Sequence, residues 1–225
     1  MIFPYLIHIL ILIGIYSILS VSLNLVLGYS GLLNLGQIAL FGIGAYTSAL
    51  LSTNGVPFVV SFILAGIISA IFGLLLVFAT KKLKGDYFAL ASLGFAFVIY
   101  SLLLNLKEIT NGPLGITSIP KPTLFGFIIK ENFYFLLLVL IICIISIYII
   151  NKIVNSGFGK LLSAMRDNEL GLKVLGKNTS KLKYKAMLIS GFFAGISGSL
   201  YAHYIGYIEP NTFYIKQDTK GEVLG

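Results

Sequence analysis

Apolar positions run along this chain in long unbroken stretches rather than in alternation. An α-helix needs about 20 predominantly apolar residues to cross the hydrocarbon core of a bilayer. Stretches of that kind lie at about 5–27, 35–51, 57–80, 87–106, 133–151 and 186–206. Backbone groups in lipid must be satisfied internally, which leaves helices or a closed barrel. Barrel strands alternate apolar and polar residues, and these runs do not. The pattern therefore predicts an all-α, polytopic transmembrane helix bundle of about six spans, over residues 1–215.

The interruptions add direction. After the third stretch comes the cluster Lys81, Lys82 and Lys84; after the fifth, residues 151–185 hold eight of the sixteen basic residues. Two spans separate these loops, so they share a side, and short basic loops mark the cytoplasm. The loop 107–131 then faces outward, and six spans place the N-terminus outside. Part of the loop at about 152–185 is amphipathic. Leu161, Leu162, Met165, Leu172 and Leu175 fall near helical spacing, with Lys160, Arg166, Asp167, Glu169 and Lys173 among them. This predicts a helix or helix pair beside the membrane, interrupted near Gly171 and ended near Gly176. Such a helix either lies on anionic lipid or docks into a groove of a soluble partner. The mixed signs of Arg166-Asp167-Asn168-Glu169 favour a protein.

A second interruption separates the first two stretches: Asn24 to Gly28, then Tyr29-Ser30-Gly31 and Asn34-Leu35-Gly36-Gln37. One reading is a tight turn, with Asn24 and Gln37 bonding between helices. The other is a break at membrane depth of the kind found around transporter sites, which makes Asn24, Gly28, Asn34 and Gln37 candidates for a translocation pathway. Small residues at helical spacing, Gly66/Ala70, Gly191/Gly195 and Gly195/Ser199, predict closely packed helices. The outer loop 107–122 is rich in turn formers; it is either a solvated connector or a flap over the outer mouth.

Composition agrees. Of 225 residues, 57% are hydrophobic and 11% charged, against about 25% charged in soluble domains. Mean hydropathy is +0.97. Nothing charged precedes Lys81, and no basic segment precedes the first apolar stretch, which is therefore read as a retained span. The net charge of +8 reflects loop topology rather than nucleic-acid binding. Cys143 sits in an apolar run with no metal-ligand spacing around it. Gly42-Ile43-Gly44 lacks the strand that a nucleotide fingerprint requires. Asn178-Thr179-Ser180 matches a glycosylation sequon but falls in a loop read as cytoplasmic. His8 and His203 lie near the outer ends of their spans and are read as interfacial. Asp86 is read as a first-turn carboxylate favoured by the helix dipole. Catalytic groups, a metal and a cofactor are not expected.

Three ordered blocks resemble the branched-chain amino acid permeases of ATP-binding-cassette importers. The first is Leu23 to Gln37 with Phe41-Gly42-Ile43-Gly44-Ala45-Tyr46. The second is Lys84-Gly85-Asp86-Tyr87 to Phe95, followed by Thr110-Asn111-Gly112-Pro113-Leu114-Gly115. The third is Gly159 to Glu169 and on to Gly176, then Ser190 to Ala202 and Pro210. The resemblance implies a non-enzymatic permease subunit in the inner membrane. Its implied partners are ATP-hydrolysing ABC ATPase subunits, a second permease subunit, an extracytoplasmic substrate-binding protein, an amino-acid substrate and membrane lipid. It also implies that residues 157–176 are the segment coupled to the ATPase, with Arg166, Asp167, Glu169, Gly171 and Gly176. Family members continue with further helices, whereas residues 216–225 turn polar and lose the resemblance, the expectation for a C-terminally shortened permease.

Two other classes compete. An ion-coupled carrier or channel places an ionisable residue within a span, and here only His8 and His203 qualify. An intramembrane enzyme needs a nucleophile with a base, or paired acids, and the stretches supply neither.

Overall fold

The structure is a computed structural model that describes residues 2–80, 83, 85–124, 127–129 and 131–213. Lys81, Lys82, Lys84 and the 216–225 tail, all part of the reading above, lie outside the described residues. Each long apolar stretch forms a helix. They are α1 (Ile2–Asn24), extended by a π-helical turn at Leu25–Tyr29, α2 (Gln37–Thr53), α3 (Phe58–Thr80), α4 (Asp86–Asn105), α6 (Asn132–Val154) and α9 (Thr179–Ile205). The short helix α5 (Lys107–Thr110) follows α4, and α7 (Gly157–Asp167) and α8 (Glu169–Val174) join α6 to α9. A two-residue hairpin, β1 (Thr123–Leu124) with β2 (Phe127–Ile128), ornaments the loop before α6.

Four helices are long and apolar enough to cross a membrane: Pro4–Tyr29, Phe58–Thr80, Asp86–Asn105 and Asn132–Val154. The expected six is therefore met by four on length and apolarity. The other two, α2 and α9, sit at the centre, shielded by protein on most of their surface. They tolerate more polar residues because neighbouring helices, not lipid, face them. The last helix also begins seven residues earlier than the predicted 186, because Asn178 caps it: its side chain accepts from the Lys181 amide at 3.0 Å.

Contacts fix helix directions. Gln37 meets Ser190, Ser48 meets Ser199 and Ser52 meets His203, so α2 and α9 are parallel. Ser22, Ile15 and His8 meet Ser190, Ser197 and Tyr204, so α1 runs opposite to α9. Gly191 lies against Ala70 while Phe58 meets His203, which makes α3 antiparallel to α9. Phe135 packs on Tyr204, so α6 also opposes α9. Ser92 lies by the α1–α2 junction and Tyr100 by Asn211, so α4 runs with α9. Successive long helices thus alternate in direction, as consecutive membrane crossings require. One end carries the α1–α2 junction and α7–α8; the opposite end carries residues 106–124, 127–129 and 206–213.

Close backbone approach holds the centre. A Cβ on Gly44 would collide with the backbone of Gly195, and one on Gly198 with the Phe41 carbonyl. Between α3 and α9, a Cβ on Gly191 would stand 3.0 Å from the Ala70 backbone and one on Gly66 2.8 Å from the Phe192 ring. The small-residue pairs read from the sequence do meet across helices. Cys143 is buried within the same bundle.

Candidate functional site

Two polar constellations interrupt the apolar bundle, one at each end. At the α7 end, the chain leaves α1 through the π-helical turn and reverses. Leu32, Asn34 and Gln37 are buried there, so each freed backbone group needs an internal partner. Asn34 Oδ1 accepts from the Gly36 amide at 3.0 Å, and Ser92 Oγ accepts from the Leu35 amide at 2.9 Å. The Asn34 amide donates to Gln37 Oε1 at 2.8 Å. Gln37 Nε2 in turn donates to Ser22 at 2.8 Å and Ser190 at 3.0 Å. The junction therefore fastens α1, α2, α4 and α9 together. Asn24 does not join it: the residue is exposed, with its side chain folded over Gly28. The carbonyl of Gly28 instead faces Arg166.

The elbow formed by α7 and α8 lies beneath this junction. Ser156 caps α7, accepting from the Phe158 amide at 3.2 Å. Leu162 and Met165 bury the inner face. The interruption expected near Gly171 falls at Asn168, whose extended backbone ends α7. Its side chain caps α8 by accepting from the Gly171 amide at 2.8 Å, so Gly171 is the residue receiving the cap. Gly176, at φ +73°, ends α8 as anticipated; the Lys177 amide bonds back to the Leu172 carbonyl at 3.2 Å. Leu175, counted among the inward residues, is instead 74% exposed, because α8 turns away from the axis of α7 at Asn168.

Charge in the elbow is mostly spent internally. Glu169 bridges Lys173 at 2.9 Å and Lys183 at 3.1 Å and accepts from the Thr179 hydroxyl at 3.2 Å. Partial burial acts to raise the Glu169 carboxyl, but the hydrogen bonds and charges of the two lysines outweigh it and hold the carboxyl down at about 2. This ties α8 to the start of α9. Arg166 donates to Gly28 O at 2.7 Å and to Asp167 at 3.1 Å. Exposed on the elbow are also Lys160, Asp167 and Lys177, with three apolar residues, Leu170, Val174 and Leu175. The amphipathic count left out Leu170 and Val174 and placed Leu175 inward because the bend at Asn168 resets the helical phase; the Asx cap at Asn168 was the available signal.

At the opposite end His203 is buried rather than interfacial. Its Nδ1 lies 2.8 Å from the Pro120 carbonyl. A carbonyl only accepts, so Nδ1 carries the proton and Nε2 accepts from Ser48 at 2.9 Å and lies 3.2 Å from Ser52. Ser199 and Ser61 extend the chain of hydroxyls. In the same loop Ile116 and Ile119 are buried and Ile116 pairs with Ile208. Tyr46, near the 180 Å³ apolar crevice between α2, α3 and α4, has a buried hydroxyl without a hydrogen-bond partner among the described residues. Among the described residues there is no group of His, Cys, Asp and Glu able to hold a metal ion.

The family described as "branched-chain amino acid transport system / permease component" matches residues 5–220. The chain is 40% identical to the high-affinity branched-chain amino acid transport system permease protein LivM of Salmonella typhimurium, covering 88% of this chain and 52% of that protein. It is 39% identical to the LivM protein of Escherichia coli at the same coverage. A probable branched-chain amino acid transport permease of Methanocaldococcus jannaschii is 29% identical, over 91% of this chain and 69% of that protein. The chain spans about half the length of the first two relatives. No solved structure matches it.

Proposed function

The chain belongs to the branched-chain amino acid transport permease family, and from that premise we propose that it is a membrane-spanning subunit of an ATP-binding-cassette importer for branched-chain or other neutral amino acids. It works with two cytosolic ATPase subunits, a second permease subunit and an extracytoplasmic binding protein. The α7–α8 end, which carries Lys160, Arg166, Lys173 and Lys177, faces the cytoplasm of a cell whose inner membrane holds the chain.

The single observation that carries the reading is the elbow. Val174 is 88% and Leu170 63% exposed, on a capped helix braced to α9 by the Glu169 ion cluster. Exposed apolar residues on a rigid, mixed-charge support suit a protein groove better than a lipid surface. Glu169 contributes by bracing the elbow to α9 and Arg166 by joining it to the α1–α2 junction, while Asp167, Leu170, Val174 and Leu175 supply the contact. Gly171 leaves space for the Asn168 cap, and Gly176 ends the docking helix. The pathway candidates Asn34 and Gln37 act by setting the junction that moves, with Gly28 at its lower edge; Asn24 shields Gly28.

The test is an N-terminally tagged pull-down from native membranes, read by mass spectrometry. An ATP-binding-cassette ATPase is recovered with the unaltered chain. Val174→Asp removes a central apolar contact, at about 2 kcal/mol, and cuts recovery about thirtyfold. Recovery of the chain with no ATPase sinks the proposal.

A further inference from the structure

Arg166 belongs to the elbow in sequence but to the α1–α2 junction in contact. Its Nη1 donates to the Gly28 carbonyl at 2.7 Å, across 138 positions of chain. Gly28 sits in the π-helical turn Leu25–Tyr29, a geometry rare in helices and frequent at functional sites. Three residues on, Gly31 has φ +69°, and a Cβ there would stand 2.7 Å from Arg166 Cγ and 3.3 Å from its Cα. The backbone of the junction therefore rests directly on Arg166 as well as bonding to it. Asp167 holds the guanidinium from the side at 3.1 Å. Beyond Gly31 the segment is fastened to α4 through Ser92, and to α1 and α9 through Gln37.

The connectivity gives the contact its meaning. The elbow is joined covalently to α6 and, through α8, to α9. Displacement of the elbow reaches α2 through α9, on which α2 is packed by backbone contact at Gly44 and Gly198, and α1 through its hydrogen bonds to α9; the turn that joins α1 to α2 has, in Arg166, a contact with the elbow itself. Leu162 and Met165 pack without direction, whereas the Arg166–Gly28 bond has one. A conformational change needs contacts that differ between the two states, and a directional tether to a locally widened helical turn provides one.

We infer that Arg166 is a positioning residue that carries displacement of the α7–α8 elbow directly into the α1–α2 junction, a route separate from the packing of α1 and α2 against α9. This rests on the importer reading above, because the displacement is supplied by the ATPase. The guanidinium serves because it reaches both the Gly28 carbonyl and Asp167 with fixed geometry.

The experiment uses the full complex in native membranes and reads ATPase capture, ATP hydrolysis, uptake of radiolabelled leucine and amide exchange over residues 25–36. Arg166→Ala retains ATPase capture and hydrolysis, lowers uptake about tenfold, and removes the nucleotide-dependent change in exchange. Arg166→Lys, which keeps a donor for Gly28, recovers part of the uptake and of the nucleotide response; a purely structural role would not restore that response. Unchanged uptake with an unchanged nucleotide response in Arg166→Ala overturns the inference. Loss of ATPase capture in that variant also overturns it, since Arg166 would then be a docking residue. An unaltered chain that captures no ATPase overturns the importer reading and this inference together, a result distinct from both.

Discussion

The elbow and the three-helix centre of α2, α3 and α9 are held together by opposite means. The centre has no ion pair among its described residues over α2 and α3; glycine and alanine let backbones touch, and serines bond across helices. The elbow has caps at Ser156, Asn168 and Asn178 and the Glu169–Lys173–Lys183 cluster. The difference follows from the solvent. Lipid tails are as apolar as leucine, so burial does not drive helices together in the bilayer; close packing and interhelical hydrogen bonds do. At the water-exposed end, helix ends and charges compete with solvent and need explicit partners. The centre is locked by backbone contact, whereas a few directional bonds tie the elbow to its neighbours.

The contrast breaks first at the centre. Gly195→Leu drives a side chain into the Ala65 carbonyl and Ser69, and costs on the order of 4 kcal/mol or more. The expected outcome is loss of monodisperse protein after detergent extraction, measured by size-exclusion chromatography. A normal elution profile would show that α9 does not depend on close approach.

A smaller effect is expected at the elbow. Glu169→Ala leaves Lys183, whose side chain is 6% exposed, without its carboxylate, at about 3 kcal/mol. The pH dependence has a definite sign. The Glu169 carboxyl lies at about 2 in the folded chain against an ordinary 4.5, so its contribution is complete above the ordinary value and is lost as pH falls toward 2. The thermal midpoint of the unaltered chain should exceed that of Glu169→Gln by a constant margin from pH 7 to 5, then converge with it on acidification. A margin that grows on acidification would contradict the ion cluster.

The smallest expected effect is at a cap. Asn178→Ala removes the bond to the Lys181 amide and costs about 1 kcal/mol, confined to faster amide exchange over residues 179–183. Equal losses from Asn178→Ala and Gly195→Leu would erase the distinction between the two regions.

Much of this was legible in the residues. Unbroken apolar runs announced each long helix to within a few positions, the start of α9 excepted, because a run of that length has no alternative in lipid. Gly176 was legible as a stop, since a left-handed residue is cheapest as glycine. The bend at Asn168 was misplaced to Gly171, because glycine looks like the weaker helix former while the asparagine cap acts through its side chain. His203 was taken for an interfacial group. Its serine partners and the Pro120 carbonyl come from segments up to 155 positions away, and no local pattern announces them.

By itself the sequence determined the solvent, the helices and the family, for these depend on composition, run length and ordered blocks along one chain. Only the tertiary structure decided that α2 and α9 lie innermost, that Asn34, Leu35 and Gln37 fasten four helices while Asn24 stands aside, and that Arg166 reaches the Gly28 carbonyl. Those outcomes depend on which backbones approach closely enough to touch, a property of the packed bundle that local spacing does not encode.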